Sequence, residues 1–339
     1  MGLGGNLIWT SVFDHMAKMG KPAVACALPL LSDLASGRLY CKDKSFVDDQ
    51  IFRLNPNILH IQPIQKSPQI ALLDRIFEKL ISPDFIRRRY ERFIFEQSLK
   101  LRLKEDKPQL VHIDMRIHSY AEGQSYNKTI WKTGGNTAHV IVKEFGYSIP
   151  QQKCSLWFTK QEEAEVRELL YNTNINSPFI AVEPDTNTDW FGDLRAWPME
   201  NWQELINNLL EKYPNHQVVQ IGLGKTGILE GVLDLTDKTS FRSAALVMKK
   251  STLFIGTEGG LMHAAAAVDA PSIILWGGIT LPEFSGYPHL HDIVCLYVEC
   301  APCGNLGWCD FSHRCMKGIS VERILSSVRA VLQENKGVE

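Results

Sequence analysis

The amino-acid sequence predicts an α/β protein of two domains, the second built on a parallel sheet covered by helices on both faces. Three observations predict this. The chain has 339 residues, beyond the size at which one hydrophobic core keeps growing, so two domains of roughly 150 residues each are expected. From residue 179 onward, short apolar runs alternate with stretches of helical periodicity, and such alternation builds parallel sheets buried on both sides. The composition, 45% hydrophobic and 22% charged with 24 Gly and 16 Pro, is that of a folded globular chain and excludes disorder.

In chain order, the glycine-rich opening Gly2-Leu3-Gly4-Gly5-Asn6 reads as a turn that leads into a helix over 7–19, ended by Gly20. Residues 24–28 and 58–61 read as strands, each bounded by Pro, Asn or Gly. A long charged helix is expected within 84–107, carrying Arg87, Arg88, Arg89, Arg92, Lys100, Arg102 and Lys104. A strand over 110–113 and a helix over 137–145, ended by Gly146, follow. The stretch 149–178 is polar at both ends, with a helix over 161–171, and the domain boundary is placed there, giving domains 1–165 and 166–339. The regular part then runs strand 179–182, helix 199–212, strand 217–221, helix 240–249, strand 252–255, helix 261–268 and strand 272–276. A last helix over 321–333 has Ser320 as its N-cap. Ligands of such sheets bind beyond the carboxyl ends of the strands, so the loops there are where chemistry is sought.

Charge and cysteine usage narrow the function classes. A formal net charge of -2 provides no global field for gathering nucleic acid. No apolar run reaches the eighteen or so residues of a spanning helix, and residues 1–20 lack the pattern of a signal peptide, so a cytoplasmic protein is expected. Of eight cysteines, Cys300, Cys303, Cys309 and Cys315 are bunched. Their spacing suits a tetrahedral structural site for zinc or iron, with His313 as a substitute ligand; free thiols and local disulfides are the alternatives. Four protein ligands leave no open position for catalysis, so the role is structural.

Three loops carry candidate chemistry. After the strand over 252–255 come Gly256-Thr257-Glu258-Gly259-Gly260-Leu261-Met262-His263 and a helix of small residues. Paired glycines and free N–H groups at the helix start suit a diphosphate, Glu258 suits a ribose or sugar hydroxyl, and His263 a phosphate. A tight turn with a structural histidine is the other reading. After the strand over 179–182 come Glu183-Pro184-Asp185-Thr186-Asn187 and then Arg195-Ala196-Trp197-Pro198, with Pro198 expected in the first turn of the next helix. Arg195 suits a leaving diphosphate, or else is a solvated arginine beside core tryptophans. The third loop, Gly222-Leu223-Gly224-Lys225-Thr226-Gly227, lacks the spacing of a phosphate loop and reads as nucleotide-proximal.

Together these stretches resemble glycosyltransferase family 9, the heptosyltransferase family. Its acidic–small–Gly–x–x–His element matches Glu258-Gly259-Gly260-Leu261-Met262-His263, and its basic–x–Trp–Pro element matches Arg195-Ala196-Trp197-Pro198, with Arg where Lys is common. Cys300-Ala301-Pro302-Cys303 is similar to an element of some members, and Gly4-Gly5-Asn6 looks like the family's Gly-Leu-Gly-Asp turn. The resemblance implies a GT-B architecture, two Rossmann-like domains facing a central cleft, with the acceptor on the first and the donor on the second. It implies inversion at the anomeric carbon without a catalytic metal, ADP-heptose as donor, and a saccharide, lipopolysaccharide-core or protein acceptor. The donor contacts it implies are Thr186, Arg195, Gly222, Lys225, Thr257, Glu258, Gly259, Gly260, Met262 and His263. The catalytic candidates are Arg195, Asn6 at the family's acidic position, and Asp14 or Asp114 in its stead, because an amide cannot usefully accept a proton. The family's first strand has almost no room ahead of the glycine turn. The basic segment 87–104 suits an anionic acceptor or contact at the inner face of the inner membrane; a solvated helix face is the other reading. Two rival functions stand beside transfer: a non-catalytic nucleotide-sugar-binding protein, and a nucleotide-sugar epimerase of GT-B type.

Overall fold

In the computed structural model, residues 3–20, 23–27, 50–63, 111–114, 136–139, 148–186, 193–305 and 308–334 are described. The basic segment 84–107 and most of the helix expected over 137–145 lie outside them. The chain forms two units, Val12–Gln124 and a larger one of Met1–Ser11 with Ser125–Glu339.

Helix α1 (Leu3–Lys18) buries Leu7, Ile8, Trp9, Val12, Phe13 and Met16. It begins inside the expected turn: Leu3 is its first residue, followed by Gly4, Gly5 and Asn6. The first four N–H groups of a helix lack intrahelical partners, so glycines weaken that end less than they would an interior turn. In the smaller unit, β1 (Ala23–Ala27), β2 (Ile58–Pro63) and β3 (Val111–Asp114) form a parallel sheet in the order β2-β1-β3. Phe13 meets Phe52 edge-on at 5.9 Å.

The larger unit holds α2 (Lys160–Asn172), β4 (Phe179–Glu183), α3 (Met199–Lys212), β5 (Gln217–Gln220), β6 (Leu233–Asp234) and α4 (Phe241–Lys250). It continues with β7 (Leu253–Thr257), α5 (Gly260–Ala267), β8 (Ser272–Trp276), α6 (Pro282–Ser285), β9 (Asp292–Cys295), α7 (Arg314–Lys317) and α8 (Val321–Glu334). Its sheet is parallel in every pairing and runs β6-β5-β4-β7-β8-β9. α2 starts on a capping box in which Thr159 Oγ1 accepts from the Glu162 N–H and Glu162 accepts from the Thr159 N–H. Buried Arg242 donates from Nε to the same Glu162 at 2.7 Å, which joins α4 to the start of α2.

The core lies between this sheet and its helices. α3 contributes Trp202, Leu205, Ile206 and Leu209, and α8 contributes Val321, Ile324, Leu325, Val328 and Leu332, the i, i+3, i+4, i+7 stripe of a helix packed on one face. Thr137, Gln152 and Ser155 are also tied to this unit. Thr137 Oγ1 donates to the Phe284 carbonyl at 2.7 Å, Gln152 Nε2 to that of Gly286 at 3.1 Å, and the Ser155 N–H to Thr10 Oγ1 at 2.9 Å. The boundary expected at 165/166 therefore falls inside the larger unit.

Candidate functional site

In the order β6-β5-β4-β7-β8-β9 the chain winds one way from β4 through β5 and the other way from β7 onward. Such a reversal leaves a gap at the carboxyl ends of the two central strands, where ligands of open α/β sheets sit. β4 and β7 are those strands, paired in register from Ile180↔Leu253 to Glu183↔Gly256. The loops that follow them therefore leave the sheet side by side, although about seventy residues of chain separate them.

Arg195 is presented by a turn over 193–195, closed by the Ala196 N–H to the Asp193 carbonyl at 2.9 Å. The turn is held from behind. Trp197 is buried, meets Trp202 edge-on at 5.2 Å, and donates from Nε1 to the Ile319 carbonyl at 2.9 Å. Pro198 is the residue just before α3, not in its first turn; its carbonyl accepts from the Asn201 and Trp202 N–H groups.

Across the gap, β7 ends at Gly256-Thr257 and α5 begins after Gly259. A Cβ at Gly256 would stand 2.4 Å from the ring of Phe254, which is itself wholly buried, so no larger residue fits. Arg195 Nη2 lies 2.9 Å from Glu258 Oε1. Burial raises the Glu258 carboxyl above its ordinary range, and the Arg195 charge opposes this. Glu258 Oε2 is buried with no partner among the described residues, an acceptor that a ligand hydroxyl would satisfy. His263, in the second turn of α5 and 8% exposed, is lowered to about 3 by burial, by the Arg195 charge and by His291, so it is neutral at physiological pH. Arg195, Glu258 and His263 thus come together around the N-terminus of α5, where unpaired N–H groups and the helix dipole favour an anion.

A second group adjoins through β5. Asp185 Oδ1 accepts from the Thr226 N–H at 2.9 Å and from its hydroxyl at 2.5 Å, which holds the loop 222–227 to the end of β4. Gly222 has φ +113, and a Cβ there would approach Asp185 Oδ2 to 3.1 Å. Burial, and then the neighbouring Asp185, push the Glu183 carboxyl well above its ordinary value. The folded state therefore keeps a proton that the unfolded chain releases near pH 4.5. Stability from this group is full below that pH and falls as pH rises toward the folded-state pKa. Glu183→Gln keeps the protonated shape without the titration. Its melting temperature is expected to match the parent near pH 4 and to exceed it by a margin that grows toward pH 8, as differential scanning fluorimetry across pH would show.

Of the other expected contacts, Thr186 and Thr257 are buried beside these groups, and the Met262 side chain is wholly buried. Lys225 stands exposed. Asn6 lies in α1 and Asp114 closes β3, neither with a described side chain. Asp14 Oδ1 accepts from Asn57 Nδ2 at 2.8 Å in the smaller unit. No disulfide joins the four bunched cysteines. Cys303 Sγ accepts the Asn305 N–H, Cys309 Sγ accepts those of Phe311 and His313, and Cys300 and Cys303 lie near enough to Cys315 to help raise its thiol pKa, behind burial. His313 Nε2 faces Asp193 at 3.5 Å. Among the described residues no three metal-ligating side chains are gathered closely enough to hold an ion. Tyr287 and Cys154, bonded to His263 and to each other in turn, were not among the expected site residues, and no local motif marks them.

The model of glycosyltransferase family 9 (heptosyltransferase) matches residues 124–307, more than half of the chain and the stretch that contains every strand of the larger sheet. The chain belongs to that family. Lipopolysaccharide heptosyltransferase 1 of Escherichia coli K12 is 27% identical over 158 residues, 44% of this chain and 46% of that enzyme, so the family 9 chain spans about half the length of the curated relatives it matches. A glycosyl transferase family 9 structure from Veillonella parvula superposes with a TM-score of 0.60 at 13% identity, covering 98% of this chain and 95% of the other. The ADP-heptose lps heptosyltransferase II of E. coli gives 0.57 at 16% identity, with 98% and 97% covered. These likenesses establish the α/β GT-B fold for the family 9 chain. No helix among the described residues is long and apolar enough to cross a membrane.

Proposed function

We propose that this family 9 chain is an inverting glycosyltransferase that moves a sugar, with heptose from ADP-heptose as the favoured donor, onto a saccharide, lipopolysaccharide-core or protein acceptor. One observation carries the reading: Arg195 and the Glu258–His263 segment, from loops far apart in sequence, meet at the reversal point of the larger sheet. In this reading the larger unit holds the nucleotide sugar and the smaller one the acceptor. The donor diphosphate rests on the free N–H groups at Gly259 and Gly260, and Glu258 Oε2 accepts a donor hydroxyl. An acceptor hydroxyl attacks the anomeric carbon, its oxygen forming the new glycosidic bond as the carbon–oxygen bond to the diphosphate breaks. The electron pair of that bond leaves on the diphosphate, whose growing charge Arg195 and the helix N-terminus stabilise.

The hydroxyl proton goes to a carboxylate. Asp114 is favoured, because it closes β3 at the carboxyl end of the smaller sheet, while an oxygen of Asp14 is already engaged by Asn57. The bunched cysteines carry a structural proposal: zinc or iron drawing the loop 300–315 together, supported by their spacing and by the N–H groups already turned toward Cys303 and Cys309. Work at the cytoplasmic face of the inner membrane fits a lipopolysaccharide-core acceptor.

A thermal-shift screen of nucleotide sugars, run beside elemental analysis for zinc and iron, tests the reading. A clear rise in melting temperature with ADP-sugars and none with UDP-sugars is expected; the reverse pattern removes the heptose assignment. Donor binding with no free ADP formed in the presence of acceptor would favour a binding protein over a transferase.

A further inference from the structure

His263 is the only residue of the α5 segment whose side chain is tied to a polar chain running away from the site. Its Nδ1 lies 2.5 Å from the hydroxyl of Tyr287, with the two rings perpendicular and 5.5 Å apart. Tyr287 is completely buried, and its ring is flanked on another side by His291 at 5.6 Å. The same hydroxyl lies 2.9 Å from Cys154 Sγ, and Ser11 Oγ donates to that sulfur at 3.9 Å. Nε2 of His263 makes no hydrogen bond among the described residues.

Two proton arrangements satisfy these distances. In one, Tyr287 donates to Nδ1, the thiol donates to the tyrosine oxygen, and His263 carries its proton on Nε2. In the other, Nδ1–H donates to the tyrosine oxygen and the hydroxyl is spent on sulfur. A phenol is the strongest neutral donor present and a neutral imidazole nitrogen the strongest neutral acceptor, whereas a thiol is weak in both roles. The first arrangement pairs strong with strong. It also leaves Cys154 to accept from Ser11 and donate to Tyr287.

We propose that Tyr287 is a positioning residue that fixes His263 in the tautomer protonated on Nε2, so that the free edge of the imidazole offers an N–H to an anion at the start of α5. This rests on the donor-site reading for the identity of the anion, but the tautomer itself does not. The bond made at Nδ1 selects the tautomer of any buried histidine, structural or not. One that faces a diphosphate must present a donor there, since an unprotonated nitrogen would repel the phosphate oxygens.

Ring-15N-labelled histidine in the full chain, read by long-range nitrogen–proton correlation spectra with His263→Gln to assign the signal, tests this. The parent is expected to show His263 as the single Nε2–H tautomer. Tyr287→Phe, which removes only the hydroxyl, is expected to give a tautomer mixture and to weaken ADP binding about tenfold, the size of one hydrogen bond to a charged group. Cys154→Ala, which removes the thiol facing the tyrosine oxygen and with it the acceptor for Ser11, is expected to leave the tautomer unchanged. An Nδ1–H tautomer in the parent overturns the proposal, and this needs no variant to fold. So does an Nε2–H tautomer that survives Tyr287→Phe. The expected tautomers with no ADP binding by the parent would instead overturn the donor-site reading while Tyr287 keeps its role.

Discussion

Arg195→Met is expected to reduce kcat/KM for transfer by about 10²–10³, the usual cost of removing one donor to a developing oxyanion. The guanidinium has two tasks here. It faces Glu258 at 2.9 Å, and its charge is felt at His263. Without it, Glu258 is a buried carboxyl already raised by desolvation and now without its counter-charge, so its pKa is pushed further up. That loss has a signature in stability as well as in rate. Removing one member of a buried pair costs more than removing both, so Arg195→Met is expected to melt lower than Arg195→Met with Glu258→Gln, although both transfer far more slowly than the parent. Steady-state kinetics with donor and acceptor, beside melting curves of the two variants, measure both effects. Activity within threefold of the parent would show that the leaving diphosphate does not meet Arg195.

Trp197→Ala has the largest expected effect on stability, about 3–5 kcal/mol for an aromatic side chain deleted from a packed core. The indole is 2% exposed, lies edge-on to Trp202 and donates to the Ile319 carbonyl. At about 2–4 °C per kcal/mol for a unit of this size, the melting temperature should fall by roughly 6–20 °C. Trp197→Phe separates the two contributions: it keeps most of the packing and loses the N–H bond, so it should fall by a third of that or less while still loosening the turn that carries Arg195. A Trp197→Ala protein that melts within 2 °C of the parent by calorimetry would mean the pocket collapses around the missing ring.

The regular half of the fold was legible because its strands are continuous apolar runs and its helices carry a single stripe. The helix over 199–212 and the strand over 272–276 were read from sequence with the bounds the structure has. What escaped has physical reasons. β9 begins on exposed Asp292 and β6 is only Leu233–Asp234, so neither shows the pattern of a buried strand. The start of α1 was misplaced because glycines read as a turn wherever they cluster, yet a helix accepts them in its first turn.

At the site, Arg195 and His263 could be named from their motifs, and parallel pairing of β4 with β7 accounts for their meeting. Tyr287 and Cys154 could not, because their link to His263 exists only once residues 24 and 133 positions apart in the chain are folded together. The proton kept by Glu183 was equally invisible: it depends on Asp185 and burial at the end of β4, and the sequence shows only two acids either side of a proline.

The bond from the Trp197 indole to the Ile319 carbonyl spans 122 residues of chain. It places one support of the arginine turn in the short connection between α7 and α8. A random-mutagenesis screen scored on nucleotide affinity should therefore collect lesions around Gly318 and Ile319 that never meet a ligand, and a map of such hits drawn on the primary sequence would mistake a distant brace for a second pocket.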